Sequence, residues 1–67
     1  MKTYEVHYVE RGGFPGAWFE TFEAETDKAA KHDYEYYLNQ SLNRNHCGIR
    51  IFRMPEEKCI LTKLKGA

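Results

Sequence analysis

The segment Thr3–Glu10 alternates residue by residue. Tyr4, Val6 and Tyr8 fall on one face, and Thr3, Glu5 and His7 on the other. A two-residue period is that of a half-buried β-strand. Such a strand needs neighbours in a sheet and a second layer over its apolar face. The whole chain has 67 residues in which to supply both. That length allows one domain, residues 1–67, with a modest core and little room for an enclosed active site.

The next strand is expected over Ala17–Glu25, A-W-F-E-T-F-E-A-E. Trp18, Phe22 and Ala24 share a face, but so does Glu20, and Phe19 points the other way. A bulge near Glu20 would restore the pattern. Without it, one of Trp18 and Phe19 lies on the face away from the helix. Thr26 or Asp27 then caps a helix running to about Asn43. Ala30, Tyr34, Tyr37, Leu38, Ser41 and Leu42 form its apolar stripe, with Tyr36 on the opposite side. The run N-R-N-H-C-G ends the helix, and Gly48 leads into a strand, G-I-R-I-F-R-M. In that strand Ile49 and Ile51 face one way, and Arg50, Phe52 and Met54 the other.

The segment 55–65 has two readings. As a helix, Pro55 would be its first residue, with glutamates in the first turn and lysines in the last. As a hairpin, P-E-E-K is the turn and Cys59–Leu64 a fourth strand. The strand is preferred because Ile60 and Thr62 are β-branched and Met54 is a poor cap. The expected fold is α+β: a small antiparallel sheet in the order β-β-α-β, with a fourth C-terminal strand, and one helix packed on one face.

The most conspicuous local feature is E-R-G-G-F-P-G-A-W-F, residues 10–19. Gly13–Gly16 has the G-x-x-G spacing of KH-type RNA loops, but that loop joins helices whereas this one joins strands. The stretch also echoes an RRM strand signature, yet Pro15 cannot donate to a ladder, which excludes a central strand. No phosphate-binding G-x-x-x-x-G-K-[ST] occurs. A hairpin loop over Arg11–Gly16 accounts for the glycines and the proline. It does not account for Phe14, which either folds back onto the sheet or is offered to a partner.

The candidate metal ligands His7, His32, His46, Cys47 and Cys59 contain no C-x-x-C or H-x-x-x-H pair, so neither a metal nor a cofactor is expected. The hairpin reading sets Met54 opposite Cys59 and Cys47 opposite Gly66. The two cysteines would then be about 23 Å apart along the ladder, far beyond disulfide reach, and both thiols would be free. The helix reading would let them meet. Ser41, the single serine, sits on the apolar stripe, and nothing local supports a nucleophile built from Cys47 with His32 or His46. Enzyme chemistry is therefore not expected. The opening M-K-T-Y-E-V-H-Y lacks the apolar run of a signal peptide, and no apolar stretch approaches membrane-spanning length. The expected compartment is the cytoplasm.

Charge and aromatic content carry the functional expectation. The formal net charge is zero, but Glu20–Glu35 holds six acids against two lysines, and Arg44–Lys65 six bases against two glutamates. Strand pairing would tend to bring the two halves together. Ten aromatics exceed what one helix on a small sheet readily buries. The expectation is a non-enzymatic binding module that docks on a larger protein or nucleoprotein complex, as a phage-type inhibitor or accessory protein does. Its contacts would be Phe14, Trp18, Tyr36, Arg50 and Phe52. One alternative is a small RNA- or DNA-binding domain using Arg44, Arg50, Arg53, Lys63 and Lys65. Another is a subunit of a homo-oligomer that buries its open sheet face.

Overall fold

A computed structural model describes residues 1–10, 15–43 and 46–64. In chain order its elements are β1 (Lys2–Val9), β2 (Pro15–Ala24), α1 (Asp27–His32), α2 (Tyr34–Asn43), β3 (Gly48–Met54) and β4 (Lys58–Leu64). The four strands form one antiparallel sheet in the order β2-β1-β3-β4. This is the expected α+β layer pair, and the last segment is a strand.

The alternation of β1 decides the layers. Tyr4, Val6 and Tyr8 are completely buried, and with Ile49, Ile51, Ala24 and Ala30 they form the core. Tyr34, Tyr37 and Leu38 of the helical layer pack against it, as do Phe22, Ile60 and Leu61 of the sheet. Both helices therefore cover the face that carries Tyr4. Three rings step outward through this layer: Tyr4 stacks on Phe22 at 5.6 Å, and Phe22 stacks on Tyr37 at 5.4 Å. Such offset pairs add to simple burial.

Four expectations are corrected. The second strand starts at Pro15, inside the expected loop Arg11–Gly16, whose first four residues lie outside the described ones. Its register against β1 runs without interruption from Ala24 to Phe19, and the irregularity falls between His7 and Val9 instead of near Glu20. Phe19 therefore lies on the face away from the helices. Pro15 is tolerated because β2 is an edge strand.

The single expected helix is two. Asp33 adopts φ −96° and ψ 22°, outside the helical well, and its carboxylate lies 3.1 Å from the His32 ring. An aspartate readily trades helical bonding for local polar contacts. The expected stripe keeps its side across the break, with Ala30, Tyr34, Tyr37 and Leu38 toward the core. Ser41 is fully buried, whereas Leu42, expected on the buried stripe, is exposed. Ser41 spends its hydroxyl as a donor to the Gly48 carbonyl at 2.9 Å, tying α2 to the start of β3. Of the two expected caps, Thr26 and Asp27, it is Thr26 that caps α1, accepting from the Ala29 amide at 3.1 Å.

The register of the last hairpin also differs. Arg53 faces Lys58 and Phe52 faces Cys59, after which Ile60 is an extra residue and Ile51 faces Leu61. The turn over Pro55–Glu57 places Glu57 in the left-handed region at φ 56°, and this sets the pairing. Both cysteines are free, Cys47 buried and Cys59 exposed. The Cys47 thiol donates to the Glu10 carbonyl.

Finally, the acidic and basic halves stay largely apart, because β2 and β4 are opposite edges of the sheet. Among the described residues they meet in one ion pair, Arg53 to Asp27 at 2.7 Å. Asp27 also accepts a hydrogen bond from the Tyr4 hydroxyl at 2.8 Å.

This node makes stability depend on pH in two directions. The Asp27 carboxyl is held below its ordinary value by the hydrogen bond from Tyr4 and then by the Arg53 charge, partly opposed by burial. Its contribution is complete above about pH 3.8 and is lost as pH falls through the lower folded value. The Tyr4 phenol is pushed up by burial and then by its bond to Asp27, so its contribution is complete below about pH 10 and is lost as pH rises through the higher folded value. Tyr4→Phe should flatten both limbs of a Tm-versus-pH curve. Part of the alkaline limb should remain, since burial also raises Tyr37. Unchanged limbs would refute this account.

Gly48 gives a second prediction. A Cβ there would lie 2.8 Å from the Leu64 Cα and 2.9 Å from its Cδ2, and closer still to the Lys63 carbonyl oxygen. Gly48→Ala should cost about 1–3 kcal/mol, the usual penalty of overpacking, measured by urea denaturation.

Candidate functional site

Directly opposed residues of a sheet share a face, so the register assigns every side chain. Thr3, Glu5 and His7 of β1 lie on the face away from the helices. With them lie Phe19, Thr21 and Glu23 of β2, Arg50, Phe52 and Met54 of β3, and Thr62 of β4. No described helical residue packs on this face.

Three rings meet at its centre, one from each of three adjacent strands. His7 stacks on Phe19 with centroids 5.1 Å apart and planes 17° from parallel. The edge of His7 meets Phe52 at 4.8 Å and 67°. The Glu5 carboxylate fixes the imidazole, with Oε1 2.9 Å from His7 Nε2. A carboxylate only accepts, so Nε2 carries the proton of that bond. His7 and Phe52 are half-buried by this mutual contact, while Phe19 remains 50% exposed. Arg50 sits opposite His7 in the ladder, next to Phe52 along β3 by the two-residue step. The described charges of the face are Glu5 and Glu23 against Arg50, a mixed set with no basic excess.

The residues expected to bind a partner are thus divided. Arg50 and Phe52 share the open face. Trp18 lies on the helix side of β2, edge-on to Tyr8 at 6.1 Å, and is 40% exposed. Tyr36 projects from α2, 60% exposed, with its ring against Tyr37. Phe14 lies outside the described residues. So do Arg44 and Lys65 of the nucleic-acid alternative. The other members of that set are separated: Arg50 is on the open face, while Arg53 and Lys63 are on the helix side. Arg53 is engaged by Asp27 and also lies 3.5 Å from Glu56. Lys63 holds its Nζ 5.3 Å from the centre of the Tyr34 ring.

His7 and Phe19 were not among the expected contacts. The signal for His7 was present, since the period of β1 sets it opposite Tyr4, Val6 and Tyr8. The signal for Phe19 was its parity in β2, obscured by the allowance for a bulge.

Among the described residues no three His, Cys, Asp or Glu side chains gather as a group that could hold a metal ion. No helix formed by them is long and apolar enough to cross a membrane. Compared with family models, curated proteins and solved structures, the chain gives no significant match.

Proposed function

We propose that the protein is a non-enzymatic binding module that docks on a larger protein through its open sheet face. Phe19, His7 and Phe52 form the anchor, with Arg50 and Met54 beside it. The observation that carries this reading is the contact of three rings, from three adjacent strands, on a face that neither helix covers. Clustered aromatics that exclude water from one another, with an arginine beside them, are the usual energetic centre of a protein interface. Fixing His7 against Glu5 before binding lowers the ordering cost of association. Small inhibitors and accessory proteins work in this way, occupying a surface without turning over a substrate.

The charge on the same face favours protein over nucleic acid. A stacking platform for single-stranded nucleic acid places cations beside its rings to meet phosphates. Here the Glu5 carboxylate stands beside the rings, Glu23 lies farther along the same face, and one arginine opposes them.

A photo-crosslinking amino acid placed at Phe19 or at Phe52, with Tyr36 as the control position, tests the reading in a native host lysate. The expected result is one protein species other than the chain itself captured from both open-face positions and much less from Tyr36, unchanged by nuclease and by raised salt. With that species purified, Phe52→Ala should weaken binding about 30-fold, the scale of an aromatic hot spot, without loss of the folded circular dichroism spectrum. Capture of nucleic acid with steep salt dependence, or capture only of a second copy, would overturn it.

A further inference from the structure

We propose that the chain also binds a second copy of itself edge to edge, β4 of one copy pairing antiparallel with β2 of the next. The edges of the sheet carry this inference, and it shares Phe19 with the open face.

Strand direction is the first observation. β1 is antiparallel to β2 and to β3, and β3 is antiparallel to β4. β2 and β4, the two outer strands, therefore run in opposite directions. A second copy in the same orientation brings its β2 antiparallel to the first copy's β4, with the helices of both on one side. The ladder then continues without reversing any strand.

Charge is the second. β2 carries Glu20 and Glu23 and no base, while β4 carries Lys58 and Lys63 and no acid. Topology holds these strands at opposite edges, so they cannot neutralise each other within one chain.

Side-chain matching is the third. Setting Glu20 opposite Lys63 also sets Phe19 opposite Leu64, Thr21 opposite Thr62 and Phe22 opposite Leu61. Every pair lies on a single face. Glu20–Lys63 and Phe22–Leu61 fall on the helix side, and Phe19–Leu64 and Thr21–Thr62 on the open side. Opposite charges, paired threonines and apolar pairs are the combinations that stabilise neighbouring strands. Phe19 and Leu64, exposed by 50% and 44%, would cover each other. A two-residue slip, the smallest that keeps faces matched, sets Phe22 against Lys63 in one direction and Glu20 against Leu61 in the other. The features that blunt these edges, Pro15 on β2 and the extra residue Ile60 on β4, both lie outside the four matched pairs.

The two surfaces differ, so the contact is head to tail and builds rings or open arrays instead of a two-fold dimer. Light scattering across a concentration series tests it. The wild-type chain should show a mass above that of one chain, rising with concentration and falling with salt. Glu20→Lys or Lys63→Glu sets like charges opposite one another and should weaken association about tenfold. An equimolar mixture of the two variants restores opposite charges at every junction and should recover it. Amide exchange of the wild-type chain gives a reading that needs no variant: protection in 19–22 and 61–64 should rise with concentration. A wild-type chain that stays monomeric at millimolar concentration would overturn the proposal. So would association indifferent to both reversals.

Discussion

The Asp27 carboxylate is the point on which the two layers turn. It begins α1, accepts from the Tyr4 hydroxyl and pairs with Arg53. Tyr4 belongs to the central strand β1 and Arg53 to its neighbour β3. One side chain thus ties the start of the helical layer to two strands. It also supplies the contact between the acidic and basic halves of a chain with no net charge. A charged pair held partly out of water demands close geometry, and the Tyr4 hydroxyl satisfies a further lone pair of the carboxylate. Geometry so constrained fixes where α1 starts. It thereby fixes which residues reach the core before the break at Asp33.

Covering one face of the sheet leaves the other to be stabilised by its own side chains. His7 does most of this, bridging Phe19 and Phe52 while Glu5 holds its ring in place. The arrangement is rigid for a surface, because four side chains on three strands constrain one another. It is also incompletely dry, since half of Phe19 faces solvent. A surface both ordered and partly apolar suits the proposed association, with the rings as its apolar centre.

How much of this was legible in the sequence varies with the kind of signal. The alternation of β1 and the pattern Ile49, Arg50, Ile51, Phe52 carry their faces openly, because a two-residue period has one interpretation when one side is buried. The start of the helix was legible to within Thr26 or Asp27, and the cap is Thr26. The helix break was not, since Asp33 falls inside an otherwise helical period and acts through a local contact with His32. Leu42 lies at the margin of the stripe, where Ser41 takes the buried position beside it. The hairpin register turned on a positive φ at Glu57, a conformation that glycine or asparagine would have announced and glutamate does not. Of the open-face residues, Arg50 and Phe52 were legible from spacing. His7 joined the candidate site only once the register placed it between two phenylalanines from other strands.

The position of β1 has a consequence for how the chain assembles. The first strand in sequence is an interior strand of the sheet, flanked by β2 on one side and by β3 on the other. Its pairing with β2 is local, between strands consecutive in sequence. Its pairing with β3 joins Thr3 to Met54, across most of the chain. Closing so long a loop before its contacts reward it is the slow kind of step. During synthesis the early hairpin therefore waits with one edge of β1 unpaired until β3 emerges, and the acidic residues of β2 and α1 give that waiting segment a net charge that resists premature association.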